Sequence, residues 1–543
     1  MAPKSSFVAR AATVPFFCGL ISCEAAVVGT AFLSEKGSEK ALLAELEQVM
    51  GFDHGRGTEA RIESIEDALR PMFTSLPKNS RGALRPSTVR YALHRLFTQR
   101  HGWQFVGLHS GGEAWGSMSP ATALGDRVPQ DVQTLFEARL QEQGLDLHEL
   151  AVLAATLENM VHSEADIRLK AAMNALGKPL NGMVNLSEAT EVIDTYMSSF
   201  VLGDDISQLS PSSILEKARD VSEQYPSWPE TQKFLRQVQE YVAPDVSSFG
   251  FTEISDVLVE VGERYGRWQS SECHDLKQVL LASEEHPNTG RIRLSEFYGL
   301  ALHQNQWQFS ESVAYLRQLG ALDESDPSTL RVILPNYILG PSNCLASSGY
   351  YAVCCIDECE AHLASLERGL GSKDASAADI LQLVGANQTM APSLQIRLKE
   401  ISEHHGGKVP LHGRLFAQWL HHVYPHECPY PHMSGTTNPL RADQFEASGQ
   451  TVGASQDEMQ QHVEGASRKK PPTHEEGMCS SMWTLEEELV DEAAKSSQSS
   501  TRPALQGLVF AGAATSLVIT LLKTAIKPVR EAHGNSDLKV YSV

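Results

Sequence analysis

Along most of the chain after Gly37, apolar residues recur at intervals of three and four, the period of a helix that buries one face. The run after Ser87-Thr88 is the clearest. Val89, Ala92, Leu93, Leu96 and Phe97 stand at i, i+3, i+4, i+7 and i+8, and His101-Gly102 closes it. The same pattern predicts helices over 38–50, 59–76, 129–144, 146–176, 186–203, 211–223, 229–242, 252–266, 270–283, 309–319, 350–369, 393–404 and 411–423. Strand signals are few and short, Trp103 to Leu108 and Leu330 to Leu334 among them, so the expected class is mainly α.

Two stretches depart from this pattern. From 435 to 503 the composition turns to Ser, Gln, Glu, Thr and Pro with few large apolar residues, and the expectation is a disordered stalk. Within it, Trp483 to Leu489 is read as a solvated charge run rather than a short helix. Residues 504–522 then carry no charge and are long enough to cross a bilayer as a helix. Lys523, Lys527 and Arg530 follow at once, which assigns 523–543 to the cytosol and the bulk of the chain to the other side. At the other end, Lys4 and Arg10 precede an apolar run and the small-residue stretch Ser22 to Ala26, the order of a signal peptide removed after Ala25. The predicted layout is a signal peptide (1–25), an N-terminal helical region (26–140), a helical domain (141–335), a Cys/His-rich module (336–434), the stalk, one transmembrane helix and a cytosolic tail.

Composition adds limits. With 42% hydrophobic and 21% charged residues the chain reads as ordinary globular protein. A formal charge of −22 excludes a sequence-independent grip on nucleic acid, which requires Lys and Arg to replace phosphate counterions. The implied partners are the lipid bilayer and a protein or glycan. Seven cysteines follow Ala25, namely Cys273, Cys344, Cys354, Cys355, Cys359, Cys428 and Cys479. In an oxidising compartment some of them pair, with Cys344, Cys359 and Cys428 the leading candidates and one left over. Asn185 and Asn387 head glycosylation sequons.

In the middle region, loops of fixed spacing lie between helices. Counting Glu285 as the first position places Gly290 at the sixth, Ile292 at the eighth and Glu296 at the twelfth, followed by Phe297. A second loop has Gly177, Gly182, Val184 and Glu188 at the same positions, and a third runs from Val242 through Phe249 to Glu253. These segments resemble the EF-hand family. The resemblance implies paired helix–loop–helix units bridged through their eighth residues, with Ile292 expected opposite Phe249, and calcium as the cofactor. Its ligand candidates are Glu285, Thr289 and Glu296 in one loop and Asn181 and Glu188 in another. Pro287 and Thr289 stand where the family places Asp or Asn, so the expected affinity is millimolar or none.

The Cys/His-rich module offers a second set, His412, His422, His426, Cys428 and His432, whose imidazoles and thiolate are the donors that zinc or copper takes. No familiar ligand spacing is present, and His421 and His422 at a helix C-terminus are explained by the helix dipole alone. The sequence shows no phosphate loop, dinucleotide-binding glycine turn, nucleophile elbow, His-Glu-x-x-His or Cys-x-x-Cys. The expected function is binding or scaffolding by a helical ectodomain under calcium control. The alternative is a metal-dependent enzyme with its site in the Cys/His-rich module.

Overall fold

The computed structural model describes residues 55–108, 137, 140–304, 309–345, 348–385, 390–467 and 482–490. The segments expected as signal peptide, helix at 38–50, transmembrane span and tail, together with Asn387 and Cys479, lie outside them. The described residues are mainly helical. In chain order they form α1 (Gly55–Ser75), α2 (Pro86–His101), β1 (Trp103–Phe105), α3 (Leu147–Ala175), β2 (Val184–Asn185), α4 (Leu186–Val201), α5 (Pro211–Gln224) and α6 (Trp228–Val242). Next come β3 (Ser248–Phe249), α7 (Phe251–Leu281), β4 (Arg291–Arg293), α8 (Leu294–Gln304), α9 (Val313–Gln318), β5 (Leu322–Asp323), β6 (Arg331–Ile333), α10 (Leu334–Ile338) and β7 (Tyr351–Val353). The last are α11 (Cys359–Leu370), β8 (Asp374–Ala375), α12 (Ala377–Gly385), α13 (Pro392–His404), β9 (Val409–Pro410), α14 (Arg414–Val423), α15 (Ala442–Ala447) and α16 (Gln456–Ser467).

Most of these elements are arranged as helix–loop–helix units joined in pairs by a very short antiparallel bridge. Leu84, between α1 and α2, exchanges backbone hydrogen bonds with Leu145, just before α3. Val184 of β2 faces Phe249 of β3, Ile292 of β4 faces Val332 of β6, and Ala375 of β8 faces Val409 of β9. The EF-hand-like arrangement therefore extends well beyond 141–335, with four such pairs among the described residues. Its expected register is corrected: Ile292 and Phe249 do not meet. They lie at opposite ends of α7, whose 31 residues span about 46 Å at 1.5 Å per residue.

That continuous α7 also replaces the two helices expected at 252–266 and 270–283. The glycine that reads as a break, Gly266, permits a close approach instead, since a Cβ there would stand 1.9 Å from the His101 carbonyl oxygen. Tyr351–Val353 is a strand against β1, not the start of a helix at 350.

Three apolar cores underlie the pairs. The first runs from Ile62 to Tyr265 and takes in Tyr351 and Val353. The second combines the C-terminal half of α7 with α8, α9, α10, Phe445 and Met459. The third lies among α11 to α14. Phe445 and Met459 correct the stalk, because α15 and α16 bury them, each contributing about 2 kcal/mol by apolar burial. Residues 482–490 also pack on the body. Disulfides Cys273–Cys355, Cys344–Cys354 and Cys359–Cys428 tie the second core, the β7 segment and the third core together. The three leading candidates are thus all paired, though only Cys359 and Cys428 with each other.

Candidate functional site

A cleft of about 390 Å³ lies where the three cores meet. One wall is the polar face of α2, with Tyr91, His94 and Thr98 at helical spacing; the others carry Leu319, Leu339, Leu363, Leu411, Leu420 and Tyr430. Asp357, Glu360 and His412 add polar lining on this side, and Asn336, Arg414, His432 and Glu488 lie on the others.

Arg95, nearly fully buried, organises the wall behind α2. Its Nε donates to Glu360 Oε2 at 2.6 Å and its Nη1 to Glu367 Oε1 at 2.6 Å. Glu360 and Glu367 are seven residues apart on α11 and so share the face turned to α2. The neighbouring His412 places Nδ1 3.3 Å from the Tyr91 hydroxyl and Nε2 3.4 Å from Glu367 Oε1. Burial, together with the Arg95 charge, holds the His412 imidazole well below its ordinary pKa. A neutral ring accepting from Tyr91 at Nδ1 and donating Nε2–H to Ser75 Oγ at 3.2 Å, whose own hydrogen goes to the Met72 carbonyl, fits these distances.

Asp357 sits at the head of this group without a cationic partner of its own. Its Oδ1 accepts the Cys359 amide at 2.9 Å. Burial in the cleft wall, with the Glu360 charge acting in the same direction, pushes its carboxyl up to about 7. Glu360 is raised too, first by burial. The segment carrying Asp357 is clamped at Cys354, Cys355 and Cys359, each in a different disulfide. A carboxylate held by three cross-links within six residues is presented on a rigid support.

A strap, residues 482–490, closes one side of the cleft, where Glu488, Leu489 and Val490 line it. Rather than a solvated charge run, it is extended chain seated on the start of α14. Arg414 donates to Thr484 Oγ1 and to the Glu486 carbonyl, and its amide to the Glu488 carbonyl. The Glu487 carboxylate accepts the Leu415 amide at 3.1 Å and meets His405 Nε2 at 2.6 Å, so it caps α14 where no side chain of the N-terminal turn does.

The expected calcium ligands do not form a cage. Glu285 lies between Arg293 and Arg331, at 2.6 Å from each; although burial alone would raise its pKa, hydrogen bonds from the two guanidiniums hold it below the usual carboxylate range. The interior of that loop is filled by Glu284, from outside the twelve positions, which accepts the amides of Asn288, Thr289 and Gly290 and pairs with His426. Thr289 turns its hydroxyl to the His286 carbonyl at 2.8 Å, and Glu296 is exposed on α8. In the other loop Asn181 is exposed, while Glu188 accepts the Asn185 amide and pairs with Lys178. Gly290 does keep its turn, at φ 62°, where a Cβ would stand 2.1 Å from the Pro425 carbonyl oxygen.

The transition-metal set is not gathered either. Cys428 is in a disulfide and offers no thiolate, which corrects its assignment. His412 and His432 both line the cleft, but His432 is fixed on the Gly320 carbonyl at 2.7 Å. His426 belongs to Glu284, and His422 packs beside Trp483 with its pKa lowered to about 4, first by burial. Among the described residues no group of three or more His, Cys, Asp or Glu is arranged to hold a metal ion.

Sequence reasoning missed Arg95, Glu360, Glu367, Thr98 and Asp357. The signal for the first three was the polar side of an apparently amphipathic α2 together with two glutamates one heptad apart. Comparison with family models, curated proteins and solved structures finds no match for the chain.

Proposed function

We propose that this chain is a binding and scaffolding protein whose EF-hand-like pairs are a fixed framework, independent of calcium, around the central cleft. The observation that carries this reading is where the loop carboxylates are engaged. Glu149, Glu188 and Glu253, each two residues into its helix, accept the backbone amide of the residue preceding that helix, Asp146, Asn185 and Gly250. For Glu188 and Glu253 this is the twelfth loop position, which supplies the bidentate ligand in calcium-binding hands. Here it acts as a helix cap. Glu285 and Glu284 are likewise neutralised by arginine, histidine and loop amides.

The body is assigned to the non-cytoplasmic side of a membrane. Three disulfides support an oxidising compartment, and the uncharged run at 504–522 with its basic flank supports a single span. Among the described residues no helix is long and apolar enough to cross a membrane, and the run itself lies outside them. Asn185, an exposed residue at the head of α4, is open to glycosylation. The ligand is a protein, a glycan or a small molecule. The enzyme reading is weaker, since the module's Cys359 and Cys428 are joined and its histidines are bonded to separate elements.

Calcium tests the framework. A submicromolar site saturated at millimolar calcium adds about 4 kcal/mol to stability, whereas the expected outcome is the same melting temperature in calcium and in chelator. A rise of several degrees, or heat of binding at submicromolar calcium, overturns the reading. Protease added to sealed microsomes is expected to remove only the 523–543 tail. Digestion of the body refutes the topology and leaves the calcium result untouched.

A further inference from the structure

The lining of the cleft is unbalanced in charge and leaves one buried donor–acceptor group without a partner. Behind the wall, Arg95 faces both Glu360 and Glu367 and is consumed by them. Asp357, on the same wall, makes no ion pair among the described residues and bonds only the Cys359 amide. Thr98 is 5% exposed and lines the cleft, and its Oγ1 has no hydrogen-bond partner. A buried hydroxyl left unsatisfied costs about 1–3 kcal/mol, a cost that a bound donor removes. The other walls carry leucines and Tyr430 together with His412, Arg414, His432 and Glu488, and the volume of about 390 Å³ is that of a small-molecule site.

We propose that the cleft binds a small organic cation, a primary amine on an apolar body, with its ammonium between Asp357 and Thr98 and its body against the leucine and tyrosine walls. This rests on reading the protein as a binding module. An ammonium matches both polar features, donating to a carboxylate and to a hydroxyl at once. An anionic ligand would meet the unpaired Asp357 carboxylate, and among the described residues no three donors are gathered for a metal ion.

Asp357 is also the group that sets the pH dependence. From α2 it is faced by Tyr91, His94 and Arg95, from α11 by Glu360 with Glu367 behind, and across the cleft by His412, Arg414, His432 and Glu488. Burial keeps His412 and His432 below the ordinary imidazole value, and Asp357, at about 7, titrates between pH 6 and 8 together with its neighbour Glu360, which burial also raises. The ionised fraction of Asp357 falls about tenfold over that interval, and amine affinity follows.

The test is calorimetry on the full chain with butylamine, phenethylamine and tryptamine, each against its alcohol analogue. At pH 8 at least one amine is expected to bind tenfold or more tightly than its alcohol, with affinity dropping about tenfold at pH 6. Asp357→Asn, which retains an acceptor for the Cys359 amide, is expected to abolish the preference. Thr98→Val is expected to weaken the amine several-fold with the alcohol unchanged. Equal binding of amine and alcohol, a preference that survives Asp357→Asn in a protein whose melting shows it folded, or no binding of any amine at millimolar concentration overturns the proposal. An unchanged melting temperature in calcium alongside such a failure leaves the framework reading intact, so the two fail separately.

Discussion

Replacing Arg95 by alanine is expected to cost about 3–5 kcal/mol, the penalty for stranding buried carboxylates without their partner. Glu360 and Glu367, side by side on α11, would be left without their cation, and Glu367 is 1% exposed. The loss falls on the seam between the first core and the Cys/His-rich module, because Arg95 belongs to α2 and both glutamates to α11. Unfolding in urea should show a lower midpoint, and limited proteolysis should cut first near α11. The triple variant R95M/E360Q/E367Q is expected to recover most of the stability, since a buried charge set exchanged as a whole loses its desolvation cost with its attraction. A change under about 1 kcal/mol for Arg95→Ala would show that the seam is held by its apolar contacts.

Asp357→Asn works in the opposite direction. The folded pKa of about 7 stands above an unfolded value of about 3.9, so ionisation penalises the fold. The penalty is absent below pH 4, grows as pH rises from 4 to 7 and is complete above 7. The asparagine variant should match the wild type near pH 4 and exceed it by roughly 2–4 kcal/mol at pH 8. Chemical denaturation at several pH values reads this directly. A gain independent of pH would remove Asp357 as the titrating group. A site that lowers stability where ionised is the usual trade of stability for function.

The helical class and most helix positions were legible because the three-and-four pattern of apolar residues survives in nearly every element. The loop at Glu285 was legible from Gly290, Ile292 and Glu296. Its partner was not, because pairing follows α7's uninterrupted length, which Gly266 disguises. In the pairs at Leu84–Leu145 and Ala375–Val409 no loop combines a carboxylate at the first position with glycine at the sixth and glutamate at the twelfth, the spacing that marked the loop at Glu285. What recurs instead is a lone apolar residue, a capping residue and a glutamate three further on, as in Leu145-Asp146 with Glu149 and Val184-Asn185 with Glu188. The cleft stayed hidden for a related reason. The sequence distinguishes apolar from polar faces, and the polar side of α2 looks solvated although Arg95 and Thr98 on it are buried. The strap was unreadable because its contacts are made largely through backbone carbonyls and glutamates that local composition assigns to solvent.

The long helices α3 and α7 each belong to two pairs at once, closing one and opening the next. In calcium sensors a pair answers its ion by swinging the exiting helix through some tens of degrees. Such a swing needs a free end. In this chain the far end of each swinging arm is already bolted into the neighbouring pair, and the Cys273–Cys355 bond pins α7 near its C-terminal end. The assembly is a truss rather than a row of hinges. Force or displacement entering at one pair is carried along the two struts to the others and to the cleft between them, so ligand binding there should stiffen the whole body instead of opening any part of it.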